Sequence, residues 1–111
     1  MPSKTILIQS EGLGRGDDGL GMLLMANFLR TLGDSPDKPG ALIFWNSGVK
    51  LVCEGSRVLE HLQKLEGQGV EILTCTTCLE YFDLVDKLIV GKPTTMAKSV
   101  QAMFSSDMVC L

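Results

Sequence analysis

Apolar residues cluster in short runs separated by polar, glycine-bearing breaks, and the runs alternate between two periods. Lys4-Thr5-Ile6-Leu7-Ile8-Gln9 is short and β-branched and leads into a glycine-rich turn, which predicts a first strand. Asp17 and Asp18 stand where a helix should begin, and either can cap its free N–H groups. Leu20, Leu23, Leu24 and Phe28 then recur at helical spacing, predicting one apolar face, and Gly33 with Pro36 and Pro39 ends the helix. Ala41-Leu42-Ile43-Phe44-Trp45 is almost continuously apolar, as a parallel strand covered on both faces should be. After Asn46-Ser47-Gly48, Ser56 is a plausible N-cap, and Val58, Leu59, Leu62 and Leu65 predict a second helix that Gly67 and Gly69 stop. Val70–Thr74 predicts a third strand, Leu79–Phe82 a helical turn, and Leu88-Ile89-Val90 a fourth strand. A last helix follows near Thr95–Phe104, and Met108–Leu111 predicts a fifth strand.

Strands alternating with helices at this spacing imply βαβ units with right-handed crossovers and a mostly parallel sheet. The fold class is therefore α/β. In such sheets binding sites lie beyond the carboxyl ends of the strands. Residues 10–17, 46–55 and 75–78 should converge on that edge.

Composition narrows the class of function. The chain has 111 residues, 45% of them hydrophobic, which suits one domain spanning 1–111 with its own core. The net charge is −3 and no basic block stands out, so nucleic acid and anionic membrane are disfavoured as partners. The apolar runs fall far short of a membrane span, and the N-terminal segment is too strand-like for a signal peptide. With four cysteines and no mark of secretion, reduced thiols in the cytoplasm are the expectation. No cofactor is expected.

Cys75-Thr76-Thr77-Cys78 follows the third strand at once. If the segment is helical, the two sulfurs can bridge or share a ligand. N–H groups at a helix start favour thiolate, so the first cysteine is expected to be the nucleophile and the second to resolve or assist. Thr76 and Thr77 add hydroxyl donors. The bland alternative is a pair of buried cysteines acting as small apolar residues. Zinc needs four ligands, and no second Cys-x-x-Cys or paired His exists, so no metal is expected. Haem attachment fails because Leu79 follows Cys78 where His is required.

Gly14-Arg15-Gly16-Asp17-Asp18-Gly19 matches the dinucleotide fingerprint on paper. Two aspartates stand where a pyrophosphate would sit, and the second strand ends in Trp45-Asn46 without a ribose-binding carboxylate. A tight loop at the site edge is the better reading, with Gly14, Arg15 and Gly16 as candidate substrate-binding residues and Arg15 facing a small anion. Asn46, Ser47 and Gly48, together with Thr76 and Thr77, complete the candidate binding set beside Cys75 and Cys78.

Leu13–Gly21, Phe44–Leu51, Glu54-Gly55-Ser56 and Gly69–Leu79 together resemble the YedF C-terminal domain family of the DsrE/DsrF-like superfamily. The resemblance covers nearly the whole chain. It implies a three-layer α/β/α sandwich with a five-stranded, mostly parallel sheet, and frequent homo-oligomers. It also implies a persulfide-accepting cysteine at Cys75. YedF-like chains often have Gly after that cysteine, where this chain has Thr76, which narrows the site. A TusA-like domain accompanies this one in YedF and is here expected as a partner in trans. The expected function is sulfur or selenium carriage on Cys75 with Cys78 assisting. The alternatives are a non-catalytic partner-binding subunit of a sulfur relay and a thiol–disulfide oxidoreductase.

Overall fold

The computed structural model describes residues 3–111. Five strands form one parallel sheet: β1 (Lys4–Ile8), β2 (Ala41–Phe44), β3 (Glu71–Cys75), β4 (Lys92–Thr94) and β5 (Asp107–Cys110). Their spatial order is β4-β3-β2-β1-β5. Four helices join them: α1 (Asp18–Asp34), α2 (Leu59–Gly67), α3 (Thr76–Tyr81) and α4 (Met96–Ser105). A 3₁₀ segment, Asn46–Val52, lies between β2 and α2, and a shorter one spans Val85–Lys87. The expected α/β class and five-stranded sheet are both present.

The order explains the layers. From β1 to β4 the chain steps one way across the sheet, so right-handed crossovers put α1, α2 and α3 on one face. The step from β4 back to β5 on the far edge runs the other way and sends α4 over the opposite face. In register, Ile6 pairs with Leu42 and Leu42 with Ile72, while Ile8 pairs with Phe44. These side chains share the first face and pack in one cluster with Met25, Leu29, Leu62 and Leu65. Leu7 and Ile43 point the other way and are also buried. Burial on both faces is why the central strands read as unbroken apolar runs.

Helix α1 departs from its predicted face. Leu20, Leu23 and Leu24 are exposed, and the buried stripe is Gly21, Met25, Leu29 and Gly33. The reason is backbone proximity. A Cβ on Gly21 would stand 3.2 Å from the Leu13 carbonyl oxygen, and the Leu13 N–H donates to the Gly21 carbonyl at 2.9 Å. The helix thus presses Gly21, rather than its leucines, against the preceding loop. Its start is as expected: Asp17 caps it, accepting from the Leu20 N–H at 2.8 Å.

The fourth strand is also displaced. Leu88–Val90 was predicted, whereas the strand is Lys92–Thr94. The Ile89 and Val90 N–H groups instead donate to the Val52 carbonyl, and Leu88 makes an isolated antiparallel bridge with Cys53. Gly91, at φ 78°, then turns the chain onto the sheet edge, where Pro93 needs no donor. Among the described residues no helix is long and apolar enough to cross a membrane.

Helix α4 is covered on one side only. Ser99 is buried, yet Met96, Val100, Met103 and Phe104 are exposed, Phe104 to 89%. A face this apolar is unusual on an isolated chain.

Candidate functional site

Cys75 is the last residue of β3 and Cys78 lies one turn into α3. That turn is fixed from three sides. The Thr76 hydroxyl donates to the Thr94 carbonyl at 2.9 Å, tying the start of α3 to β4. Leu79 is buried in the core cluster. The Asn46 N–H donates to Cys78 Sγ at 3.1 Å.

Asn46 can aim that N–H because of its backbone. It has φ 51°, a left-handed conformation that Asn tolerates better than most residues. The turn reverses the chain out of β2, with the Trp45 N–H donating to the Ile8 carbonyl at 2.9 Å. Gly48 follows in close approach to β1: a Cβ there would stand 2.7 Å from the Ile8 carbonyl oxygen. Asn46 and Gly48 thus set the distance between the loop after β2 and the thiol after β3.

The two cysteines differ in access. Cys75 is buried, with 4% of its surface exposed, and it closes the core beneath α3. Cys78 is half-buried and borders a cavity of about 370 Å³ with Asn46, Thr77, Tyr81 and Phe82. The acceptor role expected of Cys75 therefore falls on a sulfur set behind its neighbour. Burial pushes the Cys78 thiol above the usual value. The neighbouring Cys75 pushes the same way. The Asn46 N–H opposes them and favours the Cys78 anion. At neutral pH Cys78 is accordingly a thiol at rest, with one donor already in place for the thiolate.

The other expected residues divide. Asn46 and Thr77 join Cys78 at the cavity. Thr76 is occupied by β4, Gly48 by its packing on β1, and Ser47 does not line the cavity. Gly14, Arg15 and Gly16 are exposed in the loop after β1 and do not line the cavity either. Gly14 and Gly16 adopt φ 81° and 132°, conformations that glycine permits, so these two shape the loop. Asp17 occupies the helix start where a phosphate would bind.

Tyr81 and Phe82 were not singled out as site residues, yet they form the cavity wall. Their signal was spacing: they lie three and four residues beyond Cys78, on its helix face. Their rings meet edge to face, 5.3 Å between centroids at 87°. The Lys50 ammonium sits 4.7 Å from the Phe82 ring centroid and 3.9 Å from the Glu11 carboxylate. The remaining thiols lie elsewhere: Cys53 is buried, which raises its pKa, and Cys110 is exposed on the edge strand β5. Among the described residues no group of three His, Cys, Asp or Glu side chains gathers as a metal site.

A five-stranded parallel sheet in the order 4-3-2-1-5 with helices on both faces makes this an α/β fold, and Cys75 closes the third strand at its carboxyl edge. Solved structures bear out that fold. The chain is similar to the ychN protein of E. coli over 100% of both chains, with TM-score 0.75 and 17% identity. It is similar to MTH1491 of Methanobacterium thermoautotrophicum, a protein of unknown function, over 97% of each chain, with TM-score 0.69 and 17% identity. It is also similar to BT1422 of Bacteroides thetaiotaomicron, likewise of unknown function, over 98% of this chain and 95% of that one, with TM-score 0.64 and 14% identity. No family model and no curated protein matches the sequence.

Proposed function

We propose that the protein carries sulfur, or selenium in its place, on the Cys75–Cys78 pair, with Cys78 as the residue that meets the donor. The observation that carries this is the cavity at Cys78, where the sulfur already accepts the Asn46 N–H at 3.1 Å. A carrier needs a thiol that becomes an anion when a donor arrives and leaves as an anion when cargo departs. One fixed backbone donor serves both steps.

In loading, the Cys78 thiolate attacks the outer sulfur of a donor persulfide, R–S–SH. A new S–S bond forms on Cys78, the donor's S–S bond breaks, and R–S⁻ takes up the proton that Cys78 released. Unloading is the mirror reaction: an acceptor thiolate takes the outer sulfur and Cys78 leaves as thiolate. No net oxidant is consumed. Cys75, buried at the end of β3, is the neighbouring thiol of the pair.

The YedF-like resemblance supports a TusA-like protein as donor or acceptor and a reducing, cytoplasmic setting for the free thiols. The bare side of α4 supports self-association through a second copy. Loading with a ³⁵S-labelled persulfide donor, followed by addition of a TusA-like protein, tests the reading. Wild type should take up label and pass it on, and Cys78→Ser should do neither. Equal loading of that variant would overturn the assignment to Cys78. A chain that binds the partner but never loads would instead be a non-catalytic subunit. The Cys-x-x-Cys spacing of the two thiols also favours a second reading, a thiol–disulfide oxidoreductase. A reversible Cys75–Cys78 disulfide that turns over with a dithiol substrate would establish it.

A further inference from the structure

The cavity at Cys78 holds about 370 Å³, room for a small organic group. Asn46, Thr77, Cys78, Tyr81 and Phe82 line it, so among the described residues no lysine, arginine, aspartate or glutamate does. Lys50 lies beside the Phe82 ring, 4.7 Å from its centroid, but it lines a larger cavity that Phe82 also borders, and there it faces Glu11 at 3.9 Å. Arg15, the cation expected at the site, does not line the Cys78 cavity either. An anion brought to Cys78 would give up water with no cation to replace it, and would meet a second negative charge as the thiolate forms. The ring faces of Tyr81 and Phe82 are themselves electron-rich, so they suit an apolar or aromatic body instead. Tyr81 is 84% exposed and meets Phe82 edge to face, which leaves ring surface free to pack on a partner. The Asn46 and Thr77 side chains each donate and accept hydrogen bonds, which fits an uncharged polar group such as an amide.

We propose that the Cys78 site selects uncharged partners with an apolar or aromatic body next to the reacting atom, and that Tyr81 and Phe82 set this specificity. The inference rests on the sulfur-carrier reading and names its substrate class. The donor R–S–SH is one whose R group is uncharged and apolar or aromatic beside the sulfur, in place of thiosulfate or another small inorganic anion.

Alkylating reagents with one leaving group separate charge from shape: iodoacetate, iodoacetamide and N-benzyl iodoacetamide. With each, the Cys78 thiolate forms a C–S bond as the C–I bond breaks, iodide leaves, and the thiol proton passes to buffer. Rates at Cys78 are read by peptide mass spectrometry at a single pH. Each is divided by the rate of the same reagent with N-acetylcysteinamide, which removes intrinsic reactivity. Relative to iodoacetamide, iodoacetate should then react about tenfold more slowly and N-benzyl iodoacetamide about tenfold faster. Tyr81→Ala, a change at an exposed position, should abolish most of the benzyl advantage, and Tyr81→Phe should keep it. Iodoacetate matching or outpacing iodoacetamide would overturn the proposal. So would a missing benzyl advantage, or one that survives Tyr81→Ala intact. Alkylation needs no sulfur transfer, so the two readings fail separately. A chain that keeps these preferences but never loads ³⁵S would end the carrier reading alone, and a chain that loads ³⁵S with the preferences reversed would end only the selectivity.

Discussion

Two loops at the carboxyl edge of the sheet, the one after β1 and the one after β3, carry comparably conspicuous sequence motifs, yet the fold uses them differently. The first spends its special residues on itself. Gly14 and Gly16 make left-handed bends, Gly12 and Gly21 bring loop and helix backbones together, and Asp17 caps α1. The second passes straight from strand to helix and is bound to its surroundings at Thr76, Leu79 and Cys78. A motif signals chemistry when its reactive atom is held by neighbours and still open to a cavity. A motif whose glycines bend the backbone and whose aspartate caps the next helix signals a turn.

Substitutions can break this comparison or sharpen it. The largest effect should come from Cys78→Ser, which is expected to lower sulfur loading about 100-fold or more, measured by intact mass. The pH profile comes next. Because the Cys78 thiol is raised, its alkylation by iodoacetamide should climb about tenfold per pH unit from neutrality to beyond the ordinary thiol range. A plateau near pH 7 would mean that a preformed thiolate occupies the site.

Gly48→Ala tests the third contributor to the edge, the loop after β2. A Cβ 2.7 Å from the Ile8 carbonyl forces backbone to move, at a cost of about 2–3 kcal/mol in urea unfolding. Asp17→Ala should cost about 1 kcal/mol by removing the cap of α1, and should leave loading unchanged. Arg15→Ala should be nearly silent, within about 0.5 kcal/mol, because its side chain is exposed and makes no ion pair among the described residues. A loading defect in Arg15→Ala would restore the glycine loop to the site.

The sheet was legible because burial on both faces leaves continuous apolar runs at Ile6–Ile8, Leu42–Phe44 and Ile72–Leu73, and glycine and proline punctuate them. The inner face of α1 was not, because periodicity weighs side chains and the helix buries glycines. The fourth strand was misplaced for a related reason. Leu88-Ile89-Val90 has strand composition, but its N–H groups are drawn to the Val52 carbonyl, a long-range contact that no local pattern encodes. At the site, Cys75-x-x-Cys78 was visible at once, while the unequal access of its members was not. Burial of Cys75 depends on how α3 lies against β4 and the core, and the donor to Cys78 comes from Asn46, 32 residues away.

Locating the transferred atom tests the central claim most directly. Protein loaded with a persulfide donor, trapped by alkylation and digested, can be read by tandem mass spectrometry for the residue that bears the extra sulfur. The account predicts it on Cys78 in wild type and in Cys75→Ser. Extra sulfur found only on Cys75, with Cys78→Ser loading at the wild-type rate, would contradict it.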